Sequence, residues 1–196
     1  GLSTVTSALY AAGGVKTTGS LRDVQLKRRG QTVRHLDLYD LLLRGDTSND
    51  AQLQSGDAVF IPPLGATAAV EGEVQRPAIY ELKGVTTMAT LVGLAGGLTS
   101  SADSGVASLV RINDQRMRVA VNVSLDSAEG RNEKIGNGDA VRIGRLRPTL
   151  DAGVTLDGYV FRPGTIAFKS GMRLSDALPS VEELRPNADL SYVLIR

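Results

Sequence analysis

The feature that most constrains this chain is that it repeats itself. Three pairs of segments share a residue pattern in the same order along the chain, at offsets of 83, 82 and 86 residues. The pairs are Ala11–Gly14 with Leu94–Gly97, Gly56–Val59 with Gly138–Val141, and Val70–Pro77 with Leu156–Pro163. Three pairs at nearly one spacing predict consecutive copies of a single supersecondary unit.

The middle copy, residues 68–144, is complete and shows the repeating unit. Short runs of β-branched and apolar residues predict strands over 69–74, 79–82, 106–112, 119–123 and 140–143. Between the second and third strands, Thr86 or Thr87 caps a predicted helix that ends at Gly96 and Gly97. Its apolar positions follow the i, i+3, i+4, i+7 spacing, which predicts a partly buried helix in the uncharged segment 84–102 rather than a membrane span. One helix on a mixed sheet, in this order, predicts an α+β class and a β-grasp (ubiquitin-like) module.

The outer copies are incomplete in complementary ways. Residues 1–63 form a first module that lacks the opening hairpin, and residues 150–196 form a third module that lacks the closing strands. The third copy also lacks the glycine pair, so its helix near Leu174 is predicted to be short. We interpret the chain as a tandem array from a longer protein, with signal peptide and membrane anchor outside this sequence. The missing strands leave sheet edges unpaired, which predicts that two chains exchange strands to form dimers.

The ordered motifs resemble the SLBB module, the soluble ligand-binding β-grasp. The shared pattern is V-x-G-x-V-x-R-P-x-x-Y, then A-G-G after an uncharged helix, then G-D-x-V-x-I-P. Its pieces here are Val70–Tyr80, Ala95–Gly97 and Gly56–Pro62. Tandem SLBB modules are typical of Wza-like outer-membrane polysaccharide export proteins.

The resemblance implies a function and a set of partners. It implies a periplasmic, outer-membrane-associated protein that forms a homo-oligomeric ring and conducts capsule polysaccharide or exopolysaccharide. It also implies an inner-membrane polysaccharide co-polymerase as partner. A second class of function stays open, a soluble module that binds a carbohydrate or another small ligand without forming a pore.

Composition and motifs exclude several chemistries. The chain has no Cys and one His, His35, which excludes Cys-based zinc sites, thiol catalysis and His-pair metal sites. No G-x-S-x-G motif accompanies His35. Asp57 and Asp139 recur at equivalent turns, which indicates that they fix the turns rather than form a catalytic pair. We therefore expect no enzyme activity, no cofactor and no metal.

Basic residues give the strongest signal for binding. Residues 16–34 contain six Lys or Arg and one Asp, and residues 27–30 form the predicted tip of a hairpin. Two interpretations stay open, a solvated turn or a contact for anions: acidic polysaccharide, lipid headgroups or an acidic patch on a neighbouring subunit. Nucleic acid is disfavoured, because the net charge is only +1 and no aromatic residues interleave with these charges. The candidate contact residues are Lys27, Arg28, Arg29, Arg34, Arg76, Tyr80 and Arg162.

Overall fold

The computed structural model describes residues 4–147 and 152–195, and the chain divides into two compact units, residues 1–146 and 147–196. The predicted module bounds at residues 1, 150 and 196 lie outside the described residues. The helices are α1 (Val5–Ala11), α2 (Leu38–Arg44), α3 (Met88–Leu94), α4 (Ala128–Arg131) and α5 (Leu174–Ala177). The strands are β1 (Val24–Arg28), β2 (Gln31–Leu36), β3 (Ala58–Phe60), β4 (Thr67–Gly72), β5 (Ala78–Glu81), β6 (Thr86–Thr87), β7 (Ala102–Ile112), β8 (Arg118–Val123), β9 (Lys134–Ile135), β10 (Ala140–Arg145), β11 (Gly153–Leu156) and β12 (Gly164–Ala167).

The second module is built on one mixed sheet with the strand order β5-β4-β10-β7-β8. Its first and last strands, β4 and β10, are parallel neighbours with Val70 opposite Val141. The helix α3 supplies Met88 and Leu91 to the core, and both side chains are fully buried beside Leu109 of β7. The predicted α+β class is confirmed. The β-grasp assignment stays a prediction, which the parallel pairing of the first and last strands supports.

The uncharged segment 84–102 folds as the spacing of its apolar residues predicts. Thr87 caps α3, because its hydroxyl accepts a hydrogen bond from the backbone N–H of Thr90 at 3.2 Å. The buried face carries the predicted apolar positions, and Ala95 ends the helix just before the glycine pair. Within residues 4–147 and 152–195, no helix is long and apolar enough to cross a membrane.

The first module contains an antiparallel sheet with the order β2-β1-β3. Its inner face packs against α1, where Leu26 of β1 lies in one buried cluster with Val5 and Leu9. The turn between β1 and β2 is formed by Arg29 and Gly30, whose φ angles of 50° and 82° are the positive values that a two-residue type I′ turn needs. The sequence therefore predicted this hairpin tip correctly.

The second unit contains the hairpin β11–β12, the four-residue helix α5 and a 3₁₀ turn at Val181–Glu183. This unit has no glycine pair, yet it repeats a hydrogen bond that the glycine pair makes to the hairpin in the second module. The N–H of Phe161 donates to the carbonyl of Glu183 at 2.9 Å, as the N–H of Gln75 donates to the carbonyl of Gly97 at 3.0 Å. The short helix predicted for the third copy is confirmed, and a loop without glycines keeps the same contact to the hairpin.

The structure adds short elements to the one main helix predicted for each module. The first module has a second helix, α2, and the second module has α4 together with the short pair β6–β9. Asp37 begins α2, because its carboxylate accepts a hydrogen bond from the N–H of Tyr39 at 3.1 Å. The four residues of α4 leave too little periodicity for a sequence pattern to identify a helix. Helix α2 is apolar at five of its seven positions, so its spacing does not mark a single apolar face.

Candidate ligand-binding surface

The basic residues of the first module lie on the hairpin β1–β2. Arg29 occupies the turn and is exposed, and Arg34 is exposed on β2. The side chain of Lys27 leans over the neighbouring strand, where its Nζ lies 4.7 Å from the centre of the Phe60 ring. The hairpin thus presents cationic groups from both strands and from the turn between them.

Arg28 forms a bidentate ion pair with Asp57. Its Nε and Nη2 each lie 2.8 Å from an oxygen of the carboxylate, which also accepts a hydrogen bond from the N–H of Gln54. The second module repeats the pair, since Arg111 Nη2 lies 2.9 Å from Asp139 Oδ2. Asp139 Oδ2 also accepts a hydrogen bond from the N–H of Gly136 at 2.9 Å, so the prediction that the two aspartates fix their turns is confirmed. Arg28 shares this role in the framework of the module.

We expect the Arg28–Asp57 pair to make stability depend on acidic pH. The guanidinium of Arg28 and the N–H of Gln54 lower the pKa of Asp57 from 3.8 to about 2. Because the pKa is lower in the folded chain, the stabilisation is complete above pH 3.8 and is lost as the pH falls through about 2. Thermal melts of the wild type and Asp57→Asn should differ most near neutral pH and converge through this window. A difference in melting temperature that stays constant with pH would contradict the prediction.

Tyr80 and Arg76 lie at the hairpin of the second module. Tyr80 is only 5% exposed, its hydroxyl donates to the carbonyl of Arg76 at 2.6 Å, and its ring meets the ring of Tyr39 edge-on. The structure therefore places Tyr80 in the core and not on a surface open to a ligand. Arg76 is exposed, with Nη2 3.4 Å from the carbonyl of Leu94.

Arg162 lies on the hairpin of the third module. Its side chain is 85% exposed, and its Nε lies 3.8 Å from a carboxylate oxygen of Glu183. Together with Asp176 of α5, the two residues line a cleft between the hairpin and the segment that follows it. The acidic neighbours offset the charge that Arg162 would offer to an anion.

Sequence reasoning missed an aromatic residue beside the basic hairpin. Phe60 of β3 is 45% exposed and lies opposite Gln25, which in turn lies opposite His35 on β2. Phe60 alternates with Val59 and Ile61, which pack against the core of the first module. This period of two was the available signal, because it places the side chain of Phe60 on the outer face of the sheet.

A second set of residues missed from the sequence joins the first two modules. Glu81 is 5% exposed, and its two carboxylate oxygens accept hydrogen bonds from the N–H of Leu21 at 2.9 Å and of Gly65 at 3.0 Å. The N–H of Glu81 donates to the hydroxyl of Tyr39 at 2.9 Å. Arg22 pairs with Asp37 at 3.0 Å and also donates to the carbonyl of Glu81. We call these residues the junction.

Arg22, Asp37 and Glu81 thus link the two modules through partly buried polar contacts. The first two modules share the turn fixed by Asp57 or Asp139, and the second module shares its bond between hairpin and loop with the second unit. This architecture defines a tandem array of small α+β modules. Models of the SLBB domain match residues 3–61 and residues 67–120. The chain therefore belongs to the SLBB domain family and carries two of these domains in tandem. A comparison with curated protein sequences finds no match. SLBB domains are found in polysaccharide export proteins, which supports a ligand-binding role for this chain.

Proposed function

We propose that this chain is the periplasmic part of an outer-membrane protein that exports capsule polysaccharide or exopolysaccharide. Its modules form ring walls and contacts between subunits, and the polymer passes without any bond being made or broken. The protein is not an enzyme and needs no cofactor or metal. Its partners are the polysaccharide, identical subunits and an inner-membrane polysaccharide co-polymerase.

The observation that carries this proposal is the junction between two tandem SLBB modules. A wall around a passage has to keep its shape, and a ring requires one subunit interface repeated at a fixed angle. Glu81 and Arg22 use partly buried hydrogen bonds, and the N–H of Glu81 a buried one to the hydroxyl of Tyr39, to hold the two modules in one arrangement. Directional polar contacts of this kind favour a single geometry over a sliding apolar contact.

The hairpin of the first module supplies the contact for the polymer. Arg29, Arg34 and Lys27 provide cationic groups within one module, and acidic polysaccharides carry repeated anionic groups. Attraction between exposed charges is screened by salt, so such contacts bind a moving polymer weakly and reversibly.

The oligomeric state of the full-length protein tests the proposal. After extraction in detergent, we expect light scattering and negative-stain imaging to show a closed ring with a central passage. A monomer under all conditions would overturn the proposal and favour the alternative, a soluble carbohydrate- or small-ligand-binding module without pore function. Incubation with an acidic polysaccharide should release no new reducing ends, and turnover would show that the protein is an enzyme.

A further inference from the structure

We propose that the outer face of the β2-β1-β3 sheet is a binding site for a carboxylated sugar, such as a uronic acid unit. The inference rests on the proposed function, because it identifies the polymer class that the basic hairpin would contact. The site consists of side chains from two adjacent rows across the three strands. The rows are His35, Gln25 and Phe60, followed by Thr32, Lys27 and Ala58. We call this set the outer-face site.

The polar end of the outer-face site is held in place by Asp23. One oxygen of its carboxylate lies 2.5 Å from Nδ1 of His35, and the other accepts a hydrogen bond from the side-chain amide of Gln25 at 2.7 Å. The imidazole and the amide are therefore oriented before a ligand arrives. Because Nδ1 of His35 is engaged with Asp23, its other ring nitrogen is left to interact with a sugar hydroxyl.

The other end of the outer-face site combines an aromatic ring with a cation. Nζ of Lys27 lies over the ring of Phe60, 4.7 Å from the ring centre, and the exposed part of the ring that the lysine does not cover offers an apolar surface for the C–H groups of a pyranose. A carboxylate on that sugar can pair with the ammonium group over the ring. Ala58 is the smaller neighbour of Lys27 on β3, so the lysine stem can cross towards Phe60. An apolar surface with a few placed polar groups is the usual composition of a small-ligand site.

The second module shows that the sheet does not need these side chains. The strand register sets the equivalent positions, since Val59 lies opposite Leu26 as Val141 lies opposite Leu109. The row equivalent to that of Phe60 contains Asn122, Ser108 and Arg142, and Val110 takes the position of Lys27. The same sheet therefore folds without an aromatic ring or a lysine on this face. The fold of the sheet therefore does not require the ring of Phe60 or the lysine over it.

Titration of the isotope-labelled chain with two sugars, followed by NMR, tests the outer-face site. The probes are an oligogalacturonate and a neutral galacto-oligosaccharide of the same length. We expect the amides of Gln25, Lys27 and Phe60 to shift with the acidic sugar, and the neutral sugar to bind at least about tenfold more weakly. Phe60→Ala and Lys27→Gln should each lower the affinity by about tenfold.

Matched variants separate this site from general effects of charge and apolar exposure. Lys134→Gln removes an exposed lysine from β9, and Phe168→Ala removes another exposed phenylalanine, which is 54% exposed. Both should bind the acidic sugar as the wild type does. Phe60→Leu keeps an apolar residue on β3 and loses the ring, so it should also bind weakly while retaining the wild-type circular dichroism spectrum.

Several outcomes would overturn the outer-face site: equal affinity for the two sugars, no binding of either, or equal losses in Lys27→Gln and Lys134→Gln. The result is independent of the assembly experiment. A full-length protein that stays monomeric while the oligogalacturonate still binds at Phe60 would reject the export proposal and keep the site. A closed ring whose chain binds no oligogalacturonate would keep the export proposal and reject the site.

Discussion

Replacing Gly72 with Ala should destabilise the first unit by about 3 kcal/mol or more. Gly72 ends β4 with φ of 83°, a conformation that an L side chain adopts at a cost of about 1–2 kcal/mol. An added Cβ would also lie 2.0 Å from the carbonyl oxygen of Ile143, which is backbone and cannot rotate away. The parallel strands β4 and β10 would have to separate at the centre of the module.

Gly138→Ala is the matched control for the Gly72 variant. Gly138 lies in the same module with φ of 82°, and a Cβ there would meet no atom within 4 Å. Its cost should therefore be limited to backbone strain, about 1–2 kcal/mol. Urea unfolding followed by far-ultraviolet circular dichroism measures both variants. Equal losses of stability would show that the contact with Ile143 relaxes without cost.

The repeat explains how much of the fold could be predicted from the sequence. Each motif marks a backbone feature that depends on neighbouring residues, such as the Thr87 cap, the turn at Arg29 and Gly30, and the carboxylate of Asp57. Local hydrogen bonds and φ preferences are encoded within a few residues, so a pattern can indicate them. The third module lies partly outside this rule, because Glu183 replaces a glycine and still accepts the bond from Phe161.

The candidate site could be predicted only in part, because its groups come from distant segments. The cationic hairpin was visible in the sequence, since Lys27 and Arg34 are close along the chain. The neighbour of Lys27 was not, because strand pairing brings Phe60 beside it from 33 residues away. Tyr80 shows the reverse case: the motif indicates its position on the hairpin, and burial against Tyr39 is decided by the neighbouring module. A contact between modules joins residues that are far apart in the sequence, so no local sequence pattern indicates it.

Replacing Glu81 with Ala should uncouple the first two modules and cost about 2 kcal/mol. The substitution removes the acceptor for two backbone N–H groups, those of Leu21 and Gly65. A donor left without a partner and shielded from water costs about 1–3 kcal/mol. The partly buried N–H of Leu21 accounts for most of the expected value, because Gly65 is exposed and its N–H can bond to water instead. Glu81→Gln should be milder, because its amide oxygen can still accept one of the two bonds.

The position of Glu81 makes its effect distinguishable from a general loss of stability. Glu71→Ala, on the exposed end of β4 in the same hairpin, removes the same charge without touching the junction and should be nearly neutral. Hydrogen exchange should show faster exchange at the amides of Leu21 and Gly65 in Glu81→Ala, while the amide of Leu109 in the module core keeps its protection. Unfolding should change from one transition to two, because the modules no longer share the junction. If Glu81→Ala and Glu71→Ala unfold alike, the junction contributes no coupling, and a wall built from these modules would need another source of rigidity.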